Sequence, residues 1–447
     1  MENRNIVILG AGESGLGAAV LARKQGFDVL VSDSNKITEK NRGVLSQFDI
    51  EFEEGKHSAG RILKADEVIK SPGIPDEVPV VRKLQEAGIP VISEIEFAAR
   101  YTRGMLICIT GSNGKTTTTL LTHHILKNAG LDVAVAGNVG MSFAMEVARQ
   151  DHDYFVLEIS SFQLDGMFDF KADIAILMNI TPDHLDRYGN SFEAYAASKF
   201  RIIRNMDKDG AFIYCQDDPV IMEGIRKMRI PCGKYPFTLN SDIDSEGAYI
   251  KDNNIIINIQ SKTTEMTLER LALQGKHNIY NSMAAGISGR LLEIRKQHIQ
   301  DSLSDFQNIE HRLEHVAIIQ GIEFINDSKA TNVNSVWYAL ENMPENVILI
   351  AGGIDKGNDY SILMEMVKSK VKAIVCLGKD NSKLMDAFSG EVESIIETFS
   401  MDVAVRAALY LGKKGDTVLL SPACASFDLF ENFEDRGDQF KQSVNGL

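Results

Sequence analysis

The chain has 447 residues, too many for one hydrophobic core, so two to four domains are expected. A hydrophobic content of 44% and a charged content of 24% are those of an ordinary globular protein and exclude wholesale disorder. The net charge of −15, from 47 Lys plus Arg against 62 Asp plus Glu, argues against a nucleic-acid partner and leaves any anionic substrate to local donors.

The opening residues, MENRNIVILGAGESG, run straight into a strand and a glycine turn, and no apolar stretch approaches the roughly 20 residues that span a bilayer. Five cysteines, at 108, 215, 232, 376 and 424, are scattered and form no CxxC pair, as expected of reduced thiols. A cytoplasmic protein without a membrane partner is expected.

Short β-branched runs alternate with helical stretches, the pattern of βαβ units around parallel sheets. The first block opens with the strand Asn5 to Leu9, the turn Gly10-Ala11-Gly12-Glu13-Ser14-Gly15, and a second strand, Asp28 to Ser32, that ends at Asp33. GxGxxG followed by an acid in this order reads as Rossmann-like, yet alone it is equally a tight turn or a site for another nucleotide.

The second block begins near Met105, where Leu106 to Ile109 feed the loop Thr110-Gly111-Ser112-Asn113-Gly114-Lys115-Thr116-Thr117, with a helix expected over Thr118 to Asn128. Glycines let amides turn toward phosphate oxygens, the helix start adds its positive dipole end, and Lys115 reaches the terminal phosphates. Thr116 would then ligate Mg²⁺. The spacing departs from GxxxxGK[ST], because Ile109 stands where the first glycine belongs. Glu158 ends the run Asp153 to Leu157, where open α/β sheets place ligands and where a carboxylate can hold Mg²⁺; a loop-edge glutamate is the plain alternative. The strand Ala172 to Met178 leads into Asn179-Ile180-Thr181-Pro182-Asp183-His184.

In SFEAYAASKFRII, Phe192, Tyr195, Ala196, Lys199, Phe200 and Ile203 recur at helical spacing, which places Lys199 in an apolar stripe. On the residues alone, a lysine whose stem covers apolar surface while its amine reaches water is the simplest reading. The third block carries the strands Val347 to Ala351, Ala373 to Leu377 and Thr417 to Leu420. The expected fold is therefore α/β in three domains: a Rossmann-like domain over 1–95, a central P-loop-type ATPase domain with a mainly parallel sheet over 96–305, and a Rossmann-like C-terminal domain over 306–447.

TGSNGKTTT, LEISSFQL, NITPDHLDRYG, SKFRI, GKHNIYN, HRLEHV, NDSKATN and SPACASFD together resemble the Mur ligases of peptidoglycan synthesis, in order and over nearly the whole chain. The resemblance implies an ATP-dependent, ADP-forming acid–amino-acid ligase. Its substrates would be UDP-N-acetylmuramoyl-L-alanine and D-glutamate, joined through an acyl phosphate by a monomer with two Mg²⁺ ions. It implies that Lys199 is carbamylated, which supplies an anionic, metal-binding group. Thr116 and Glu158 would hold one ion, and His184 with Lys199 the other.

By the same resemblance, Lys115, Asn138, Glu158, His184 and Lys199 are catalytic. ATP would meet Gly111, Ser112, Asn113, Gly114, Lys115, Thr116 and Thr117, together with His277, Asn278, Asn281, Arg312 and Asp327. The UDP substrate would meet Ser14, Gly15, Asp33, Ser34, Ser71, Gly73, Asn138, Gln163 and His184. D-Glutamate would meet Thr331, Lys356, Ser426 and Phe433, with Lys329 supporting the phosphoryl site. Helix capping is the plain alternative for Asn278, and an exposed loop position for Lys356. Other readings are a related Mur-type or folylpolyglutamate-type ligase, an NAD-dependent dehydrogenase, or a nucleotide-binding regulator without catalysis.

Overall fold

Among the described residues, the chain is organised by three mainly parallel sheets. The computed structural model describes residues 4–240, 243, 245–306, 310–341, 343–355 and 357–447, so Lys356 lies outside the described residues. The contacts gather into two compact units, Met1–Phe306 and Gln307–Leu447. The first unit contains two of the sheets.

The first sheet is wholly parallel, in the order Glu51–Glu54, Asp28–Asp33, Asn5–Leu9, Glu67–Lys70, Val91–Ile92. Its central strand is apolar on both faces, with Ile6 to Leu9 buried, because helices cover a parallel sheet from both sides. The chain leaves that strand in one direction and returns on the other side, so a crevice opens where Gly10–Gly15 and Ser71–Gly73 leave neighbouring strands. Gly15 is required there: a Cβ would stand 1.9 Å from the Gly10 carbonyl oxygen.

The central sheet has nine strands, in the order Lys262–Thr267, Asn254–Ile259, Gly247–Lys251, Gly233–Phe237, Ala211–Cys215, Ile174–Leu177, Met105–Thr110, Tyr154–Glu158, Val133–Gly137. Only the pairings that join the first three of these are antiparallel. The chain reverses direction around Met105–Thr110, and the expected phosphate loop emerges at this switch point. Phe143 and Phe155 pack edge to face, with centroids 5.2 Å apart and no exposed surface; burying each ring is worth about 1.5–3 kcal/mol.

Several boundaries differ from the sequence reading, three of them around the site. The helix after the loop spans Lys115–Asn128 rather than starting at Thr118, because Gly114 takes a left-handed conformation (φ 82°) that ends the loop one residue before the lysine. The strand expected over Ala172 to Met178 is Ile174–Leu177. The lysine-bearing helix spans Phe192–Phe200 and tightens into a 3-10 turn over Arg201–Ile203.

Two buried acids lie on the short helix Glu94–Ala98, between the first two sheets in sequence. Glu96 accepts the amides of Phe168, Asp169 and Phe170 at 2.9–3.2 Å. Glu94 accepts only the amide of Ala144, at the start of helix Phe143–Arg149, and its other oxygen has no partner. Burial therefore pushes the Glu94 carboxyl up to about 8, against the pull of that amide and with help from Glu13.

The second unit has six strands, in the order Glu314–Ile319, Ile322–Asn326, Thr417–Ala423, Val347–Gly352, Val371–Leu377, Ser394–Thr398, parallel except for the first pair. Apolar clusters cover its two faces, one around Val336, Leu340 and Phe388, the other around Phe324, Val405 and Phe440.

Candidate active site

In the central sheet, Met105–Thr110 delivers the loop and Tyr154–Glu158 delivers a carboxylate beside it. Gly114 is pressed against Asn281, whose Oδ1 would lie 2.6 Å from a Cβ at 114. The first-turn amides of Lys115, Thr116 and Thr117 precede any intrahelical acceptor, and the buried Thr117 hydroxyl has no hydrogen-bond partner. Lys115 Nζ donates to the carbonyls of Gly111 and Ser112, both at 2.9 Å. Thr116 Oγ1 donates to Glu158 Oε2 at 2.7 Å, and Asn138 Nδ2 donates to Glu158 Oε1 at 2.9 Å, so one buried carboxylate gathers two other expected residues.

Ser112 and Asn113 tie the loop to the next strand end. The Ser112 amide donates to the Asn179 carbonyl, the Asn113 amide to Asn179 Oδ1 at 2.8 Å, and Ser112 Oγ bonds Thr181 and Tyr195. Asn281 is buried and bonds Thr118 and Asn278. Asn278 also donates to the Gln274 carbonyl at 2.8 Å, which makes its visible bonds those of a helix start, and His277 beside it is half-buried.

Lys199 does not reach water. It is 2% exposed, its Nζ donates to the Gly111 carbonyl at 2.9 Å and stands 4.7 Å from the centroid of the Tyr195 ring. The stem-covering reading is thereby corrected: the helix turns its lysine inward, onto the phosphate loop. Burial holds the Lys199 ammonium well below the usual lysine range, and the charge of Lys115 adds to the effect.

His184 precedes the 3-10 turn Leu185–Tyr188 in a left-handed conformation (φ 51°), unusual for a residue with a Cβ. Its Nε2 lies 3.7 Å from Asp183 Oδ1, and its ring meets Phe162 edge-on with centroids 5.2 Å apart. Phe162, Tyr188 and Tyr195 form a run of ring contacts that leads from His184 to Lys199. Gln163, one residue on from Phe162, is buried and accepts from Ser160 in a capping box.

At the first sheet's crevice, Ser14 and Gly15 lie in the first turn of helix Glu13–Lys24. Asp33 Oδ2 accepts the Ala11 amide at 2.8 Å, which fastens the glycine loop, and its Oδ1 accepts from Asn35. Ser34 is exposed, as is Gly73. The buried Ser71 hydroxyl has no partner and would lie 2.6 Å from a Cβ at Gly10.

In the second unit, Asp327 is buried and bonded by Ser421 at 2.8 Å; burial lifts its carboxyl to about 7, with Arg312 opposing. The Lys329 ammonium stands 4.7 Å from the Phe433 ring centroid, and the amide of half-buried Thr331 donates to the Lys329 carbonyl. Ser426 is buried, and its carbonyl accepts from Phe430. Arg436, which the sequence reading passed over, is buried and donates to Ser328 Oγ, the Ser328 carbonyl and the Cys424 carbonyl. It joins NDSKATN to SPACASFD. Tyr195, Phe162 and Arg187 were also missed, although the first lay in the quoted helical stripe and the others inside quoted motifs.

The donor set of the central sheet, with first-turn amides, a lysine, a threonine hydroxyl and a buried carboxylate, suits nucleotide phosphates and a hard divalent cation. The fold and site thus define a nucleotide-binding α/β protein. Family models match residues 4–93 as a Mur ligase MurD-like N-terminal domain, 109–289 as a Mur ligase middle domain, and 311–424 as a Mur ligase glutamate ligase domain. The UDP-N-acetylmuramoylalanine--D-glutamate ligase of Bacteroides fragilis is 55% identical over 448 residues, covering 99% of this chain and all of that protein. Among solved structures, the UDP-N-acetylmuramate-alanine ligase MurC of Thermotoga maritima matches with a TM-score of 0.64 at 17% identity, over 99% of both chains. The MurF ligase of Thermotoga maritima in complex with ADP matches at 0.61 and 14%, over 96% of this chain and 99% of that one. The chain belongs to the Mur ligase family. Among the described residues no helix is long and apolar enough to cross a membrane.

Proposed function

We infer that this protein is the ATP-dependent ligase that adds D-glutamate to UDP-N-acetylmuramoyl-L-alanine in peptidoglycan precursor synthesis. The observation that carries this reading is the full-length match, at 55% identity, to a relative of that name. A carboxylate is a poor electrophile because oxide would have to leave. Its oxygen therefore attacks the γ-phosphorus of ATP and ADP departs; the amine of D-glutamate then attacks the acyl phosphate, phosphate leaves, and the amine surrenders a proton.

The first step is positioning and charge neutralisation. Lys115 and the first-turn amides of Lys115–Asn128 hold the phosphates, and Gly111 and Gly114 keep the loop open to them. The bond between Thr116 and Glu158 supports the reading that these two would hold one Mg²⁺, and His184 with Lys199 would hold a second. Bound there, the ions neutralise two anions that must approach. Burial of Lys199 against Gly111 supports its carbamylation: the neutral amine is the form that takes up CO₂, and the product carries the negative charge a metal site needs. Asn138 stays with Glu158 and, with Gln163 and His184, orients the acceptor carboxylate.

Ser14, Gly15, Asp33, Ser34, Ser71 and Gly73 are assigned to the UDP end, and the unpartnered Ser71 hydroxyl supports this. Asn278, Asn281 and His277, with Arg312 and Asp327, are assigned to ATP; Thr331, Lys356, Ser426 and Phe433 to D-glutamate; Lys329 to the phosphoryl site. We take the domains to be 1–95, 96–305 and 306–447. Five buried thiols support a cytoplasmic enzyme, which we take to act as a monomer, to be checked by sedimentation velocity.

The test is phosphate release from ATP with Mg²⁺ and UDP-N-acetylmuramoyl-L-alanine, scanned over single amino acids of both hands, with the amide product identified by mass. Turnover with D-glutamate alone is expected. Turnover only with another amino acid would reassign the ligase, and ATP binding without turnover would make the chain a regulator.

A further inference from the structure

Arg187 lies three residues after His184, in the 3-10 turn Leu185–Tyr188. Its two Nη nitrogens donate to consecutive carbonyls in the loop that follows the strand Glu67–Lys70 of the first sheet, Gly73 at 3.2 Å and Pro72 at 3.3 Å. The same guanidinium stands 4.5 Å from the centroid of the Phe162 ring. Phe162 in turn meets the His184 ring edge-on at 5.2 Å and stacks on Tyr188 at 6.1 Å. One planar cation therefore touches the loop at the first sheet's crevice and the ring that borders His184.

This arrangement suits arginine and no other side chain. Two carbonyls on successive residues need two donors in a fixed plane, and that plane must also lie against an aromatic face. A lysine could satisfy one carbonyl as a point charge but could not stack. His184 also needs outside support, since its left-handed backbone is one that a residue with a Cβ keeps only when neighbours hold it. The Ser71–Gly73 loop is anchored at its two ends, by the Ser71 amide on the Leu9 carbonyl and the Ile74 amide on the Ser71 carbonyl, while between them Gly73 is exposed and the buried Ser71 hydroxyl is unpartnered.

We propose that Arg187 is a positioning residue that couples occupancy of the nucleotide crevice to the placement of His184. A nucleoside diphosphate against Ser71–Gly73 fixes the two carbonyls, the carbonyls fix the guanidinium, and the guanidinium fixes Phe162 and with it the imidazole. The UDP end of the substrate, remote from the bond being made, thereby contributes to turnover as well as to binding. The inference rests on the ligase reading given above and deepens it.

Steady-state kinetics of the full chain test it, with Arg187→Gln, Arg187→Lys, Phe162→Leu and the double variant R187Q/F162L measured beside the wild type. R187Q should lower kcat at saturating UDP substrate by about ten- to a hundredfold, the range for residues that orient a reacting group from behind. R187K should fall between the two. F162L should lose a similar factor, and the double variant little more than either single one, because both act on one imidazole. UDP itself, followed by titration calorimetry, should bind wild type and R187Q within about threefold of each other.

Wild-type kcat in R187Q overturns the coupling, as do losses in R187Q and F162L that multiply. Loss of UDP binding with kcat intact would make Arg187 a nucleotide-binding residue only, which also overturns it. If the wild type turns over no substrate, the ligase reading fails instead, and the two failures are told apart.

Discussion

Replacing Glu94 with glutamine removes a titration and leaves the packing almost unchanged. The carbonyl oxygen of the substituted side chain can still accept the Ala144 amide, and the oxygen that has no partner in the native protein gives way to an uncharged NH₂ group. With a carboxyl at about 8 in the folded chain against an ordinary 4.5, the folded state binds more protons than the unfolded state between those values. Stability contributed by the protonated acid is therefore full below about pH 4.5 and is lost as pH rises toward 8. Integrated over that window, the native protein should lose about 2–3 kcal/mol relative to Glu94→Gln between pH 5 and pH 7, and about 4 kcal/mol by pH 9. For a unit of this size that is a difference of roughly 5 °C in melting temperature at pH 7 relative to pH 5. Paired thermal melts from pH 5 to 9 should show the advantage of the variant growing up to pH 8 and then levelling. A difference that does not vary with pH would refute the reasoning, because it would mean that Glu94 does not titrate in this range.

Lys199→Ala should lose about 10²–10³-fold in kcat and regain part of it with short carboxylic acids that stand in for the carbamate; full activity of the variant would sink the carbamate. Glu158→Gln keeps the shape that meets Thr116 and Asn138 but removes the negative charge offered to a divalent ion, so activity should fall by about 10²-fold and saturate only at higher Mg²⁺, and an unchanged Mg²⁺ titration would count against its ligand role. Gly15→Ala drives a Cβ to 1.9 Å from the Gly10 carbonyl, a backbone atom that cannot swing aside; a loss of about 1–3 kcal/mol or more is expected in thermal or urea unfolding, and an unperturbed melt would contradict the packing described.

What could be read from the sequence was whatever local pattern controls. Apolar β-branched runs ending in glycine turns announced both nucleotide-type loops, since a buried parallel strand must be apolar on both faces and a phosphate loop must be small. The start of the helix at Lys115 was misplaced because propensity cannot foresee that Gly114 turns left-handed and lets the lysine enter the first turn. The stripe holding Lys199 was recognisable as a helix face, but its partner, the Gly111 carbonyl, lies 88 positions away, and periodicity carries no information about what a face is packed against. Arg436 illustrates the same limit: it sits on a helix rich in charge, and only the folded chain shows that backbone oxygens replace the water it gives up. Arg187 and Phe162 escaped because they are partly exposed and lie on short elements, the 3-10 turn Leu185–Tyr188 and the helix Ser161–Asp165, where no repeat marks the functional position.

The bonds made by Arg436 also bear on the order of assembly. Ser328 and Arg436 are 108 positions apart, and Cys424 lies between them in sequence. Closing so long a span is entropically costly until the intervening strands have paired, so the guanidinium reaches its carbonyls only after the sheet holding Thr417–Ala423 exists. The loops carrying Lys329 and Ser426 are therefore late-maturing surfaces: during synthesis the chain can complete its phosphate loop well before helix Phe433–Asn445 has emerged to lock them in place.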